Sequence, residues 1–391
     1  MDLIVQKFGG TSVATHPARL CVISKITKAI EDGFMPIVVV SAMGRLGAPY
    51  ATDTLLNFVK ENAGTMESHE YDLLLSCGEI ISAVTIATML NERGIKAKAF
   101  TGGQAGVVTD ENHTEAELLY MEPKRLLKAV EEGYVPVVAG FQGVSLDYQI
   151  TTLGRGGSDT SASILGAGVK AAQIEIYTDV DGIMTADPRV CDKVHIIREI
   201  SYSEIFQMAD SGAKVIHPRA VEYAMKANIP LIIKNTFSEE EGTHILQTTE
   251  EIKGEIIRGV AHRTGRVQYT ILNSNIDLLD KVAQEHISID LINIFPTIKV
   301  FTINEVNQEK LEALLDKEGC EYSKITHCAK ITAIGEKMTG IPGIMARIVR
   351  ALTSHDINIL QTADSLTTIT CLISEEEVSK AICALHEEFK I

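Results

Sequence analysis

From the N-terminus to about Asn235 the chain alternates short runs of β-branched residues with longer segments of helical pattern. This alternation is typical of crossover units that build a mainly parallel sheet covered by helices, so we predict an α/β fold for this part. The predicted strands are Leu3–Lys7, Ile37–Ser41, Lys96–Phe100, Pro136–Phe141, Gln173–Thr178 and Pro230–Ile233. The predicted helices are Pro17–Asp32, Tyr71–Glu92, Pro123–Glu132, Ser158–Gly166 and Pro218–Ala227. Three of them end near Gly33, Gly94 and Gly133, where we expect the left-handed conformation.

The C-terminal part contains an internal repeat. Residues 276–294 and 342–362 share an order of helix, turn and strand, and each is followed by another strand and helix. Two α+β units of about 65 residues with the order βαββαβ fit this part, and units this small usually need a partner, so we expect them to pair. The predicted domains are 1–240, a polar and acidic connection over 241–262, and the two units 263–327 and 328–391.

The charge of the chain excludes some classes of partner. Acidic residues outnumber basic ones by 52 to 36, and a formal charge of −16 offers no cationic surface to a polyanion. We therefore expect neither nucleic acid nor membrane as a partner, and the uninterrupted apolar runs at 36–41 and 135–141 are far shorter than the roughly 20 residues of a membrane span. The seven scattered cysteines and the absence of a signal peptide pattern predict a cytoplasmic protein.

The segment KFGGTS, Lys7 to Ser12, lies between the first predicted strand and a helix. Two adjacent glycines let backbone N–H groups approach an anion, and Lys7 supplies a positive charge at the carboxyl edge of the sheet. The segment lacks the spacing of a P-loop and of a dinucleotide fingerprint, so an ordinary strand-to-helix turn is the alternative to a phosphate site.

The segment TTLGRGGSDTSAS, Thr151 to Ser163, carries Arg155 and Asp159 on a loop of small residues before a helix. Arg155 can bind a carboxylate with two hydrogen bonds, and Ser158 lies where a helix N-terminus presents free N–H groups. Asp159 would repel a phosphate, so its predicted role is to hold a lysine ammonium. The alternative is that Ser158 and Asp159 only cap the helix.

Glu79 lies among apolar and small residues in the long predicted helix LLLSCGEIISAVTIATML. A carboxylate there costs free energy unless it is paired, so the sequence indicates either a structural ion pair or contact with the ammonium group of a substrate. Ser41, which ends an apolar strand, is either a turn residue or a hydroxyl that faces a substrate.

Two further segments carry polar residues typical of a nucleotide site. YTDVDGIMTADPR, Tyr177 to Arg189, ends a strand and can offer polar groups to a base and ribose and Arg189 to phosphates. GAKVIHPR adds a second lysine, Lys214, and His217, which as a lone histidine is more simply structural.

In order and spacing, KFGGTS, SAMG, LLLSCGE, GFQG, TTLGRGGSDTSA, YTDVDGIMTADPR and GAKVIHPR resemble the amino-acid kinase family. The resemblance covers essentially the whole chain, because the aspartate-phosphorylating members also carry two C-terminal ACT units, which the repeat resembles. It implies a sheet sandwiched by helices, followed by ACT units, and transfer of the ATP γ-phosphoryl group to the side-chain carboxylate of L-aspartate. Mg²⁺ would be held mainly by the phosphates rather than by a dedicated protein site.

The resemblance also implies roles for individual residues. The catalytic positions are Lys7 and Asp159; the nucleotide positions are Lys7, Phe8, Gly9, Gly10, Ser12, Thr178, Asp179, Asp187, Arg189 and Lys214; and the aspartate positions are Ser41, Thr52, Glu79, Phe141, Arg155 and Ser158. Within the last group, Arg155 would bind the α-carboxylate and Glu79 would face the amino group.

Regulation by an end product is a further implication, in a homodimer or higher oligomer formed through the ACT units. The reaction would be the first step toward lysine and diaminopimelate, threonine and methionine, and the effector would be lysine, threonine or meso-diaminopimelate. The effector positions are Asn275, Ile276, Asp277, Thr339, Gly340, Ile344, Met345, Asn358 and Ile359. The first unit has Ile276 and Asp277 where the second has Pro342 and Gly343, which favours the second unit as the effector site.

Two alternatives remain at this stage. The chain could be a kinase of the same fold that phosphorylates glutamate, acetylglutamate, carbamate or UMP. It could instead be a catalytically inactive amino-acid sensor built from the ACT units.

Overall fold

The computed structural model describes residues 2–213, 216–247, 256–272, 277–338 and 340–391. The chain forms two compact units: the first comprises Met1–Ile183, Ile196–Ala209 and Lys214–Ile252, and the second comprises Met184–His195, Asp210–Ala213 and Lys253–Ile391. The predictions for Lys214, Asn275, Ile276 and Thr339 lie outside the described residues.

The first unit contains two sheets. Its strands are β1 (Leu3–Phe8), β2 (Met35–Val40), β3 (Ala97–Phe100), β4 (Val107–Thr109), β5 (Leu118–Met121), β6 (Val135–Ala139), β7 (Gln142–Val144), β8 (Ile150–Thr152), β9 (Gln173–Thr178), β10 (Glu199–Ser201), β11 (Leu231–Asn235) and β12 (Thr243–Leu246). Eight form a mainly parallel sheet in the order β10-β12-β11-β9-β1-β2-β6-β3, and four form a smaller sheet in the order β5-β4-β7-β8. The predicted α/β fold is confirmed.

Helices connect and cover these strands. They are α1 (Gly10–Val13), α2 (His16–Glu31), α3 (Thr52–Ala63), α4 (Ser68–Glu92), α5 (Gly102–Ala105), α6 (Lys124–Glu131), α7 (Gly157–Val169), α8 (Tyr202–Asp210) and α9 (Pro218–Ala227). Gly33, Gly94 and Gly133 have φ values of +90°, +78° and +80°, which confirms the left-handed conformation predicted at these helix ends.

Strand β1 lies in the middle of the large sheet and pairs in parallel with β2 on one side and β9 on the other. Its side chains alternate, so that Val5 and Lys7 point to one face and Ile4, Gln6 and Phe8 to the other. Helix α7 packs on the Val5 face, where a Cβ added to Gly166 would lie 3.9 Å from the Val5 side chain. Lys7 therefore leaves the sheet on the side of α7.

Helix α4 is the one described helix that is long and apolar enough, by length and composition, to cross a membrane. Its most apolar window has a mean hydropathy of 1.9, and 56% of that window is buried inside the protein. Asp72 and Glu79 interrupt its apolar residues, so the helix contains no long uninterrupted apolar run. The burial of most of this window is typical of the core helix of a globular unit.

The second unit consists of one six-stranded sheet and four α-helices among its described residues. The strands are β13 (Gly259–Leu272), β14 (Ile289–Ile294), β15 (Ile298–Asn304), β16 (Glu321–Ile334), β17 (Gln361–Asp364) and β18 (Thr368–Ser374), and the helices are α10 (Leu278–Gln284), α11 (Gln308–Lys317), α12 (Ile344–Thr353) and α13 (Val378–Phe389). The sheet is antiparallel, in the order β14-β15-β13-β16-β18-β17.

The two repeats share this sheet through two strands of 14 residues, β13 and β16. Residues 266–272 of β13 pair with β15 and with the first half of β16. Residues 259–263 pair instead with residues 330–334 of β16, and that half of β16 also pairs with β18. The half of the sheet that belongs to the second repeat therefore has four strands: β17, β18, the second half of β16, and residues 259–263. The last of these precede the first repeat in the chain.

The observed units differ from the predicted boundaries in two places. The predicted connection 241–262 contains β12, which pairs with β11, and the first residues of β13. In addition, Met184–His195 belongs to the second unit, although it follows β9 along the chain. Composition marks exposed turns such as the acidic run after Ser238, whereas long-range pairing decides which unit a segment joins.

Val260 tests whether residues 259–263 belong to the core of the second repeat. Its side chain is 1% exposed and lies in the same core cluster as Ile331, Ile348 and Leu385. We expect Val260→Ala to lower the free energy of unfolding by about 2 kcal/mol, since it removes buried methyl groups and leaves a cavity. Val306 is 79% exposed, so the same change there should cost less than about 0.5 kcal/mol. Equal effects of the two variants in urea denaturation would contradict the placement of residues 259–263 in this core.

Candidate functional site

The loops that follow β1, β2, β6 and β9 meet at one edge of the large sheet. The Ser41 N–H donates to the Phe8 carbonyl at 3.1 Å, and the Gly9 N–H donates to the Tyr177 carbonyl at 3.2 Å. The Gly140 N–H donates to the Val40 carbonyl at 3.0 Å. Carboxyl ends of parallel strands are the usual place for a ligand in such sheets, so this edge is the candidate site.

Lys7 and Asp159 form an ion pair at this edge, as predicted. Lys7 Nζ lies 2.5 Å from Asp159 Oδ1, and the side chains are 10% and 14% exposed. Asp159 is in the first turn of α7, which follows Gly156 in the left-handed conformation and which no described side chain caps. The first N–H groups of α7 therefore point toward the same edge as the lysine.

The two glycines of KFGGTS have different steric roles. A Cβ at Gly10 would lie 2.8 Å from the Ala42 carbonyl oxygen, so the close approach of the loop after β2 requires glycine there. A Cβ at Gly9 would lie 3.6 Å from Lys7 Nζ. Glycine at this position therefore leaves the side of the ammonium group that a Cβ would contact uncovered, while the Gly9 N–H itself is bound to the Tyr177 carbonyl.

Two of the predicted nucleotide residues have buried side chains. Phe8 is fully buried on the face of β1 opposite Lys7 and stacks on Tyr177 with 4.7 Å between ring centroids. The Ser12 hydroxyl is also buried and lies 2.6 Å from that of Thr236. In this structure the Phe8 side chain therefore packs in the core and the Ser12 hydroxyl is bound to Thr236.

Thr178 and Asp179 lie at the same edge, where β9 ends. Thr178 Oγ1 donates to Asp179 Oδ1 at 3.2 Å, and Arg45 pairs with Asp179 at 3.0 Å. Arg45 and Asp179 are 78% and 43% exposed, so this ion pair contributes little to stability and both side chains remain accessible. Among the described residues, no group of three or more His, Cys, Asp or Glu side chains is arranged to hold a metal ion.

Asp187 and Arg189 belong to the second unit and pair with each other. Arg189 Nη2 lies 2.7 Å from Asp187 Oδ2, and hydrogen bonding from Arg189 lowers the pKa of Asp187. Their predicted role at a nucleotide stays a prediction.

Glu79 is 3% exposed and lies on the buried face of α4. Its Oε1 accepts a hydrogen bond from the Ala42 N–H at 3.0 Å, whereas its buried Oε2 has no hydrogen-bond partner among the described residues. Burial raises the pKa of Glu79 to about 8, against the lowering effect of the Ala42 bond. A buried carboxylate oxygen without a partner fits a cationic group of a ligand better than a structural ion pair.

The remaining predicted aspartate-binding residues are Arg155, Ser158, Phe141 and Thr52. Arg155 is exposed on the loop between β8 and α7, and no described side chain pairs with it. A Cβ at Gly140 would lie 3.0 Å from Ser158 Oγ, so the end of β6 touches the start of α7. Phe141 has a φ of +70°, a rare conformation for a side chain of this size, and its N–H donates to Ser161 Oγ at 2.9 Å. Thr52 is half-buried at the start of α3.

His217 has a structural role, as expected for a lone histidine. Its Nδ1 accepts the Arg219 N–H at 3.4 Å at the start of α9, and a Cβ at Gly156 would overlap its side chain at 2.2 Å. Burial and the Arg219 charge lower the pKa of His217.

Sequence reasoning missed two buried polar residues near the site. Asp72 is fully buried seven residues before Glu79, and Gln142 is 1% exposed, with its Nε2 donating to the Ser76 carbonyl at 3.1 Å. A spacing of seven residues places Asp72 on the same face of α4 as Glu79. The helical periodicity therefore could have predicted that Asp72 is buried with Glu79.

The described effector positions lie in the second unit. Ile344 is buried in its core, with Met345 and Ile359 packed against that core. Asp277 pairs with Lys281 at 3.1 Å. Asn358 lines a cavity of about 290 Å³ together with polar groups that include Ser374, Glu376 and Glu377. Of the described positions, Asn358 is the one whose side chain lines this cavity.

The chain matches two family models and several curated proteins. Residues 2–235 match the model of the amino acid kinase family, and residues 324–387 match that of an ACT domain. Aspartokinase 1 of Bacillus subtilis is 42% identical over 100% of both chains. The aspartokinase of Geobacillus stearothermophilus is 36% identical over 100% of this chain and 97% of its own.

Solved structures show the same fold. Aspartokinase III of E. coli in complex with aspartate and ADP superposes with a TM-score of 0.81 at 24% identity over 100% of both chains. The same enzyme in complex with lysine and aspartate superposes with a TM-score of 0.76 at 25% identity over 99% of both chains. Since the family match covers more than half of the chain and the B. subtilis relative aligns over its full length, this chain belongs to the amino acid kinase family and, within it, to the aspartokinases, which phosphorylate aspartate with ATP.

Proposed function

We propose that the carboxyl edge of the large sheet binds ATP and L-aspartate and produces 4-phospho-L-aspartate and ADP. The observation that carries this proposal is the Lys7 ammonium, held by Asp159 beside the glycine backbone at that edge. In phosphoryl transfer, catalysis consists mainly of positioning and of stabilising the charge on the transferring group, and this arrangement supplies an oriented cation for it.

The nucleophile needs no general base. The side-chain carboxylate of aspartate has a pKa near 4 and is ionised at neutral pH. The barrier arises instead from repulsion between this carboxylate and the anionic γ-phosphoryl group. Lys7, the N–H groups after β1 and the first turn of α7 lower that repulsion, and Asp159 fixes the lysine without facing the phosphates itself.

On the nucleotide side, Gly9, Gly10 and the backbone of Phe8 and Ser12 would face the phosphates, and Thr178 and Asp179 would face the nucleoside. Mg²⁺ would be held mainly by phosphate oxygens and water, since this ion loses its water reluctantly, and would neutralise part of the phosphate charge. Asp187, Arg189 and Lys214 complete this proposed set.

On the aspartate side, Glu79 would bind the ammonium group through its unpartnered Oε2, and Arg155 would bind the α-carboxylate. Ser41, Thr52, Phe141 and Ser158 would line the rest of the pocket. Two opposite charges bound at two fixed points orient the side-chain carboxylate toward the phosphates.

We further propose that the enzyme is cytoplasmic, that it begins the route to lysine, diaminopimelate, threonine and methionine, and that it forms at least a homodimer through its ACT units. Its ACT match supports control by an end product, and E. coli aspartokinase III has been solved with lysine bound. Such an effector inhibits only if it binds a less active state more tightly, by about 1–3 kcal/mol for a 5- to 150-fold effect.

Release of ADP from ATP and Mg²⁺ tests the proposed reaction. We expect release with aspartate, and none with glutamate or without an acceptor. Release with glutamate would favour another kinase of the same fold, and no release with any acceptor would favour an inactive sensor.

Lys7→Ala should lower kcat with aspartate by about 10²- to 10³-fold, because it removes the oriented cation at the transferring group. Lys28 forms an exposed pair with Glu239 in the same unit, so Lys28→Ala should leave kcat unchanged and serves as the control. Near-normal turnover of a folded Lys7→Ala enzyme would refute the proposed mechanism.

Glu79→Gln tests the buried carboxylate through the pH dependence of stability without ligands. The pKa of Glu79 is about 8 in the folded protein against an ordinary value of 4.5, so the folded state binds the proton more tightly. Glu79 therefore makes stability fall as pH rises from about 4.5 to about 8, where the side chain ionises in the folded state. We expect the wild-type Tm to fall relative to that of the variant across this window; parallel Tm curves would contradict a raised pKa.

Regulation is tested by assaying activity with lysine, threonine and meso-diaminopimelate, singly and in pairs. We expect inhibition by at least one of them and expect Asn358→Ala to weaken it without changing the uninhibited rate, because Asn358 lines the cavity of the second unit. Asn307→Ala makes the same change in the first repeat and should retain inhibition. Full activity at saturating levels of all three compounds would leave the repeats as an oligomerisation device.

A further inference from the structure

We propose that Asp72 is a positioning residue for the aspartate site, which holds Arg155 at a fixed distance from Glu79; this inference rests on the proposed function. Asp72 does not reach the site edge itself. It connects α4, which carries Glu79, to the loop after β8, which carries Arg155.

The Asp72 carboxyl group is fully buried and is hydrogen-bonded to three residues. Oδ1 accepts the Thr152 hydroxyl at 2.6 Å, and Oδ2 accepts the Thr152 N–H at 3.0 Å. The Thr114 N–H lies 3.1 Å from both oxygens, and His113 Nδ1 lies 2.9 Å from Oδ2. The N–H groups of Thr114 and Thr152 can only donate, so both oxygens of Asp72 act as acceptors.

Thr152 is the last residue of β8, and the next residue is fixed as well. The Leu153 N–H donates to the Phe141 carbonyl at 2.9 Å, and the Leu153 carbonyl accepts from Arg219 Nη1 at 2.8 Å. Gly154 and Gly156 then adopt φ values of +71° and +67°, with Arg155 between them. Arg155 is thus displayed on the three residues 154–156, which begin two positions after Thr152, the residue that contacts Asp72.

Asp72 and Glu79 are rigidly related, because seven residues of α-helix correspond to two turns and a rise of about 10 Å along one face. The hydrogen bonds from Asp72 therefore set the position of the Arg155 loop relative to the Glu79 carboxylate. Because Glu79 would hold the ammonium group of aspartate and Arg155 its α-carboxylate, an error of about 1 Å in their separation should cost substrate binding far more than nucleotide binding.

The variant Asp72→Asn tests this role, because an amide of the same shape cannot accept from all of these donors. We expect the KM for aspartate to rise about tenfold or more, with the KM for ATP changed less than about twofold. Asp110→Asn is the matched control, since Asp110 Oδ1 accepts the N–H groups of Glu117 and Asn112 in a nearby exposed turn. That variant should keep both KM values.

Thr152 provides a second pair of variants in case Asp72→Asn fails to fold. Thr152→Val removes the hydroxyl that donates to Asp72 and should raise the KM for aspartate several-fold, whereas Thr152→Ser retains the hydroxyl and should stay near the wild-type value. A lower Tm with an unchanged KM for aspartate in folded Asp72→Asn and Thr152→Val would overturn the positioning role. Absence of wild-type activity with aspartate would instead refute the proposed function.

Discussion

The parallel pairing of β1 with both β2 and β9 is the constraint on which the first unit depends. It places the ends of these strands at one edge and directs Lys7 out of the sheet toward α7. Five of the six residues of β1 are buried between two parallel neighbours, so the ammonium group is fixed by the sheet and by Asp159 rather than by a mobile loop. A site of this kind has its cation oriented before any ligand arrives.

Helix α4 carries two buried carboxyl groups that differ in their hydrogen bonding. Its two buried carboxyl groups lie on one face, yet Asp72 is hydrogen-bonded to three residues, whereas Glu79 Oε2 has no partner within the described chain. Burial of Glu79 raises its pKa to about 8. The contrast distinguishes a carboxylate that organises the protein from one that is available to a ligand.

The second unit depends on strands that serve two repeats at once. Because β13 and β16 each run through both halves of the sheet, the second repeat lacks a complete sheet without residues 259–263, which precede the first repeat. Val260, 1% exposed, is part of the core that also contains helix residues more than eighty positions later in sequence, such as Ile348 and Leu385. Continuous strands therefore connect the two repeats directly.

The sequence by itself determined the α/β class and the ends of several helices, because these follow from local patterns: alternation and glycine at positive φ. It indicated that Asp159 would hold a lysine, the family resemblance implied Lys7 as a catalytic residue beside it, and the structure confirms the pair. It also indicated that Glu79 would be buried. Tertiary structure alone decided that Asp72 meets Thr152, that Phe8 faces the core opposite Lys7, and that residues 259–263 complete the sheet of the second repeat. These contacts join residues more than 60 positions apart in the chain, and no local periodicity records which distant strand or donor a residue will meet.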